Sequence, residues 1–508
     1  MPERPLLSRK MLRHALAGVI LLGGSSGDSF AGADLDPEAA ILSTFEQINK
    51  IPRCSKNEGR ISAWLVDWAR ARKLAVSSDA HRNVLITVPA TPGWEARPGV
   101  ILQAHMDMVC VKTETSRHDF TKDPIPLIRD GEWVRAKDTS LGADDGIGIA
   151  MALTLAEKAT RPHPKLELLF TTDEEQEMTG AAGLSPDLLT GKRYINLDSE
   201  NDSTVTLGAA GGLHTDLHLP LAMSPLPTDM DTFRLKVSGL LGGHSGLDIN
   251  KNRANANVLL ARLLTGSAPF RLAAFSGGSA GNAIATSAES TIAVARGDAQ
   301  ALQKRLSDYQ AEARAAFPEE ADLAITLTRV TNTGQPAATP QDSVAAMRLI
   351  SSIPQGVTAW SEEFAGLPET SNNIGIVRSS DGALDIATFQ RSFHSTKLEA
   401  IAGQIAAIAQ AAGATTDERG AFPSWPPDSS TGLYKGVVDA YSRLFGSTIK
   451  TEVLHAGLEC SHIAAKYPSL EIVSIGPTLE NVHTTNERLK VASLVKMWDL
   501  VQEVLQAP

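Results

Sequence analysis

Cysteine is scarce: Cys54, Cys110 and Cys460 are the only three in 508 residues, far apart and with no CxxC pair. This excludes a thiolate zinc finger and a dithiol redox motif, so any metal must be held by histidine and carboxylate. Cys110 and Cys460 read as buried, inert thiols. Basic residues are the minority, 47 against 58 acidic, for a net charge of -11. No Lys/Arg block could track a phosphate backbone, which points away from nucleic acid. Long apolar runs are missing as well. No window holds 18 consecutive apolar residues, so no spanning helix and no stable membrane anchor is expected. Aromatic residues make up only 5%, but hydrophobic residues reach 43% and charged ones 21%. That balance is globular and excludes a disordered, collagen-like or disulfide-scaffold chain.

The N-terminus carries Arg9, Lys10 and Arg13 before the apolar run Ala15 to Leu22 and a small-residue tract ending Ala31-Gly32-Ala33. This is the layout of a secretory signal peptide over residues 1–33, cleaved after Ala33. It predicts a periplasmic or secreted protein.

Asp36-Pro37-Glu38 reads as the start of a helix with Ile41, Leu42, Phe45 and Ile48 on one face. Short β-branched runs at Asn83 to Pro89, Val100 to Gln103, Leu166 to Phe170 and Tyr194 to Leu197 read as buried strands. The apolar helix Gly146 to Ala159 lies among them, so strand and helix alternate as in an α/β layer. After about residue 212 the texture changes to an α+β unit: a strand at Asp231 to Val237, a helix at Asn255 to Leu264, then strands near 290 and 325. A second stretch from 340 to 412, ending in helix Leu398 to Ala412, repeats that layout only weakly. The Pro/Ser-rich segment Phe422 to Ser430 reads as a linker. Beyond it, helix Tyr434 to Phe445, strand Ile472 to Ile475 and helix Ala492 to Gln506 resume the α/β pattern.

Chemistry concentrates at the ends of these strands. In LQAHMD, His105 and Asp107 sit two residues apart and share one side of an extended chain, as a ligand histidine and an orienting carboxylate would. LGADDG offers Asp144 at the mouth of the apolar helix. FTTDEE offers Glu174 and Glu175, adjacent residues that face different ways. INLDSE offers Asp198, and IGPTLENVH offers His483 far downstream. Each signal alone has a plainer reading as a solvated strand end, a helix cap or an acidic loop. Together, two histidines and three carboxylates make a mixed N/O set suited to zinc, or less specifically to manganese or cobalt. Five ligands exceed one tetrahedral site. Two ions about 3.5 to 4 Å apart, bridged by a carboxylate and a water, would use them all and favour hydrolysis.

Eight stretches carry a family resemblance: LQAHMDMV, DFTKDPIPLIRDGEWVRAKDTSLGADDGIGIAMAL, FTTDEEQEMTGAAGL, INLDSE, GLLGGHSGLDI, NANVLLARLL, HAGLEC and IGPTLENVH. They resemble the dinuclear zinc exopeptidases, in the branch that contains aminoacyl-histidine (Xaa-His) dipeptidase. The resemblance implies an α/β catalytic domain with a mixed, largely parallel sheet (34–212 and 422–508), interrupted by an inserted α+β lid (213–421). It assigns His105, Asp144 and Asp198 to one metal and Asp144, Glu175 and His483 to the other, with Glu174 as general base and Asp107 as partner of His105. It further implies His244 of GGHSG as stabiliser of the oxyanion, Arg391 as clamp on a substrate carboxylate, and Asn282 and Gly457 as substrate contacts. Gly281 and Ala285 depart from the Arg and Pro that such dipeptidases usually carry there. The implied activity is dipeptide hydrolysis, Xaa-His or broader, with two divalent ions, zinc first and cobalt or manganese as alternatives. An N-acyl-amino-acid deacylase, a carboxypeptidase and a noncatalytic peptide-binding protein are the other readings, and a homodimer stays open.

Overall fold

Short apolar runs and the helices between them build two large sheets in the computed structural model, which describes residues 36–267 and 269–507. The expected signal segment, residues 1–33, lies outside the described residues. The first sheet runs in the order Ala75–Ser78, Val84–Val88, Leu166–Thr171, Val100–His105, Arg193–Asn196, Glu471–Ser474, Thr204–Ala209, Lys450–Leu454. Its four central strands, from Leu166–Thr171 to Glu471–Ser474, are parallel to one another, so their C-terminal ends share one edge. The flanks are mixed, with antiparallel pairing at Val84–Val88 and at the single contact between Glu471–Ser474 and Thr204–Ala209. Strands Val100–His105 and Leu166–Thr171 are buried at every position, which is why they read as continuous apolar runs rather than alternating ones.

The helix Ala143–Lys158 is buried almost all round from Ala143 to Leu155, as a helix apolar on every side must be. Helix Pro37–Ile48 packs against it, and Ala492–Gln506 packs in turn against Pro37–Ile48.

The second sheet is antiparallel throughout and takes all nine strands from between Gly211 and Phe422. Strands from the 230–330 region meet those from 368–422 where Phe270–Gly277 pairs Pro368–Ser380. Helices Ala256–Thr265, Ala299–Ala316, Pro340–Ser352 and Ser395–Ala411 share one apolar core with it. Asn255 caps the first of these, its side chain accepting the N–H groups of Asn257 and Val258. An α/β region interrupted by an α+β region is therefore the fold.

Two local expectations are corrected. Cys110 is not a free thiol: it forms a disulfide with Cys54 across 56 residues of sequence. The pairing arises because the loop at Cys54 lies against Met108, just past the His105 strand. Cys460 is the buried free thiol. The segment 422–430 is not a free linker either. Trp425 is buried, and its N–H and C=O both pair with Ala209 at 2.9 Å.

Candidate active site

The shared edge of the parallel strands gathers the chemistry. The His105 strand ends at the site itself. Thr171 ends its strand three residues before Glu174, and Asn196 ends its strand two before Asp198. His483 arrives by another route, on the loop between Leu479–Glu480 and Arg488–Lys490, which pair antiparallel and add to the small sheet of Trp133–Arg135 and Ile128–Asp130.

Asp144 stands at the centre. Its Oδ1 is 2.9 Å from His105 Nε2 and its Oδ2 is 3.0 Å from His483 Nε2. Asp198 Oδ1 lies 3.4 Å from the same His105 nitrogen, and Glu175 Oε2 lies 2.9 Å from the same His483 nitrogen. All five residues expected as ligands therefore converge. Two overlapping sets of ligand atoms fall within 4.8 Å of one another: His105, Asp144 and Glu175, and His105, Asp145 and Asp198. Asp145 was not anticipated. Its Oδ2 accepts the His105 N–H at 3.2 Å and its Oδ1 the Gly148 N–H at 3.1 Å, so its oxygens are engaged by backbone.

Electrostatics fits this cluster to divalent cations. Burial works against a charged His105, yet Asp198, Asp107 and Asp144 hold its pKa well above the usual range. Hydrogen bonds to Asp144 and Glu175 push His483 up to about 11. Burial, then the charge of Asp144, pushes the Asp198 carboxyl up. Glu175 Oε1 is buried with no partner among the described residues. A field that keeps protons on two imidazoles, with an unsatisfied carboxylate oxygen inside it, is one that a divalent ion can satisfy by displacing those protons.

Asp107 orders the surroundings. Its Oδ1 lies 3.5 Å from His105 Nδ1 and accepts the Glu174 N–H at 3.0 Å, while its Oδ2 accepts the Glu175 N–H at 3.2 Å and the Ser55 hydroxyl at 2.8 Å. Despite burial, these contacts hold its pKa down to about 2. The Glu174 carboxyl is pushed well up by burial and by its neighbours Asp198, Glu459 and Glu175.

Several supporting residues carried no signal in the sequence. Glu487, on the His483 loop, accepts the backbone N–H groups of Leu141 and Ala143 at 2.7 Å and of Gly142 at 3.0 Å. Buried Arg53 donates to the carbonyls of Met106, Asp107 and Gly142. Gly142, at φ 70°, leaves room that a Cβ would close, since that atom would lie 2.6 Å from the Arg53 guanidinium. Asp173 adopts φ 62° just before Glu174, held by Lys56 at 2.6 Å and by its N–H to Glu58 at 3.2 Å. Beneath the site, Gln103 donates to Glu459 at 2.6 Å and accepts from Asn196 at 2.6 Å, tying the His105 strand to the strand that precedes Asp198. Only Glu487, four residues past His483, could have been suspected from spacing.

The remaining candidates meet in a cavity of ≈ 470 Å³ whose lining includes His244, Asn282, Arg391 and Gly457, together with Met178 from the Glu174 loop. His244 Nδ1 accepts the N–H groups of Gly246 at 3.2 Å and Leu247 at 3.1 Å, which leaves the ring proton on Nε2. Burial and Arg391 keep its pKa below the usual value. The Asn282 carbonyl accepts the Ser245 N–H at 2.8 Å, beside His244. No described helix is long and apolar enough to cross a membrane.

The sequence pattern of Peptidase family M20/M25/M40 matches residues 101–507. The cytosol non-specific dipeptidase of Escherichia coli (strain K12) is 38% identical over 478 residues, 93% of this chain and 98% of that protein. The crystal structure of aminoacylhistidine dipeptidase from Vibrio alginolyticus superposes with a TM-score of 0.89 at 36% identity, covering 92% of this chain and 96% of that one. An aminopeptidase PepT structure from Bacillus cereus shares the fold at 15% identity, TM-score 0.55, with 92% and 98% covered. The Escherichia coli relative is cytosolic by name, and this overturns the periplasmic or secreted placement expected from residues 1–33. Three basic residues before a run of about eight apolar ones are a weak pattern on which to rest export.

Proposed function

Because the chain belongs to peptidase family M20/M25/M40 and hydrolyses dipeptides with a divalent metal, we propose that its site holds two ions, zinc by ligand type. His105, Asp144 and Asp198 would hold one, and Asp144, Glu175 and His483 the other. The observation that carries this is Asp144, whose two oxygens each face a different histidine. When bound, such ions supply a water of lowered pKa and a Lewis acid for the scissile carbonyl.

The protein's own residues do the rest. Glu174, its carboxyl pushed up by burial and by neighbouring carboxylates, takes the proton of the attacking water and delivers it to the leaving amine. Asp107 fixes the tautomer of His105 and aims the Glu174 and Glu175 backbone. His244, with its proton on Nε2, donates to the oxygen that becomes negative as the carbonyl is attacked. Arg391 receives the terminal carboxylate of the dipeptide, with Asn282 and Gly457 along the same wall. His244 and Met178 line one cavity of a single chain, which supports His244 acting within its own subunit. Residues 213–421 form the lid over the catalytic portions 34–212 and 422–508. Xaa-His dipeptides are substrates within a broader set.

The test is to purify the chain, count bound metals by elemental mass spectrometry, and assay wild type and Glu174→Gln on a dipeptide panel with N-acetyl amino acids as controls. About two metals in both proteins, with turnover about 10²- to 10⁴-fold lower in the variant, is the expected result. Full turnover by the variant, or cleavage of the N-acetyl amino acids in preference to dipeptides, overturns the reading.

A further inference from the structure

Arg391 is held in an unusual way for a buried arginine. Arg53 and Arg271 are also buried, and both spend their N–H groups on backbone carbonyls. The Arg391 side chain makes no hydrogen bond or ion pair with any described residue, and its Nε is buried without a partner. What it does have is an aromatic ring: its Cζ sits 4.2 Å from the centroid of Phe389.

The strand register explains how. Phe389 and Arg391 are two apart on Ala383–Ser392 and so share a side. On the neighbouring strand Gly211–Pro220, His214 faces Phe389 and Gly212 faces Arg391. The His214 ring stacks on Phe389 at 4.0 Å with planes 6° apart, and Phe422 meets Phe389 edge-on at 6.3 Å. Position 212 must be glycine for these rings to close over it, because a Cβ there would come 2.5 Å from Phe422 and 2.8 Å from Phe389.

A guanidinium is attracted through its face to the negative face of a ring, while its N–H donors lie in its own plane. Holding Arg391 by a ring therefore leaves those donors and the full charge unspent. A carboxylate partner would neutralise the charge and would have to be displaced by any anionic ligand. The cavity that Arg391 faces contains no Asp or Glu in its lining, and Arg419, the other arginine there, is paired to Asp216 at 2.5 Å.

We infer that Phe389, backed by His214, is a positioning residue that holds Arg391 uncompensated, so that the enzyme selects peptides ending in a free carboxylate over peptides whose C-terminus is blocked. This rests on the reading of Arg391 as the carboxylate clamp.

The experiment compares kcat and KM for one dipeptide and for the same dipeptide as its C-terminal amide, in wild type and in Phe389→Leu, Phe389→Tyr, His214→Leu and Arg391→Lys. Wild type favours the free acid. Phe389→Leu lowers that preference by about tenfold, through KM for the acid, and Phe389→Tyr, which keeps the ring face, restores most of it. His214→Leu, a milder change at a half-buried site, shifts the preference the same way by a smaller factor, so the inference stays testable should Phe389→Leu fail to fold. If both variants slow acid and amide equally, or if neither changes the preference, the inference is wrong. If wild type itself shows no preference and Arg391→Lys changes nothing, the assignment of Arg391 has failed, whatever Phe389 does.

Discussion

His105 Nδ1 lies 3.5 Å from Asp107 Oδ1, and the same carboxylate accepts the backbone N–H groups of Glu174 and Glu175. One side chain thus sets both the tautomer of His105, the proposed ligand histidine, and the aim of the glutamate loop. Asp107→Asn is expected to weaken metal binding or lower kcat by about 10- to 100-fold. An amide places an NH₂ where an acceptor is needed, so the Glu174–Glu175 loop loses a bond as well. Metal-binding titration alongside steady-state kinetics measures this, and an unaltered Kd and kcat would remove Asp107 from the site.

Glu487 cradles Leu141, Gly142 and Ala143, the residues that lead into Asp144. Glu487→Gln turns one acceptor oxygen into a donor facing backbone N–H groups. A loss of about 1.5 to 3 kcal/mol in stability is expected, together with weaker metal retention because Asp144 is no longer held. Denaturant unfolding of the metal-free and metal-loaded protein separates the two effects.

Without metal, His483 keeps its proton up to about pH 11, through its hydrogen bonds to Asp144 and Glu175. The sign follows directly. That contribution to metal-free stability is fully present below the ordinary histidine pKa and is lost as pH rises toward 11. Metal must displace the proton, so metal affinity rises with pH over the same window, by up to about tenfold per unit. Calorimetry of metal binding near pH 8 in buffers of different ionisation heat should show proton release. Heats independent of the buffer would contradict it.

The Cys54–Cys110 bond closes a loop of 56 residues and fixes the segment carrying Arg53 and Ser55 against the segment carrying Asp107. Reduction is expected to cost about 4 kcal/mol of stability in the metal-free protein. Melting with and without reductant, with Cys54→Ser as the permanently open form, tests this. Coincident melting curves would argue against it.

The legible part of the site was the part written as strand ends. His105, Asp144, Glu175 and Asp198 each follow a short apolar run or open an apolar helix, and parallel pairing then brings such ends to one edge. His483 was legible as a histidine beyond the strand Ile472 to Ile475, but its pairing with Asp144 was not, because a hairpin far along the chain carries it. Arg53, Asp145 and Gln103 were illegible. They act through backbone carbonyls, backbone amides and partners up to 356 residues away, and no local pattern records such partners.

The sequence by itself determined which chemistry the chain can support. Few cysteines and a recurring His, Asp, Glu set exclude thiolate sites and favour a metal held by nitrogen and oxygen. It also determined the alternation of strand and helix, since hydrophobic period is a local property. Tertiary structure alone decided which cysteines pair, that residues 422–430 pack rather than link, and that Arg391 rests on a ring instead of a carboxylate. Those outcomes depend on which surfaces meet, and two segments far apart in sequence carry no mark of one another until the sheets place them in contact.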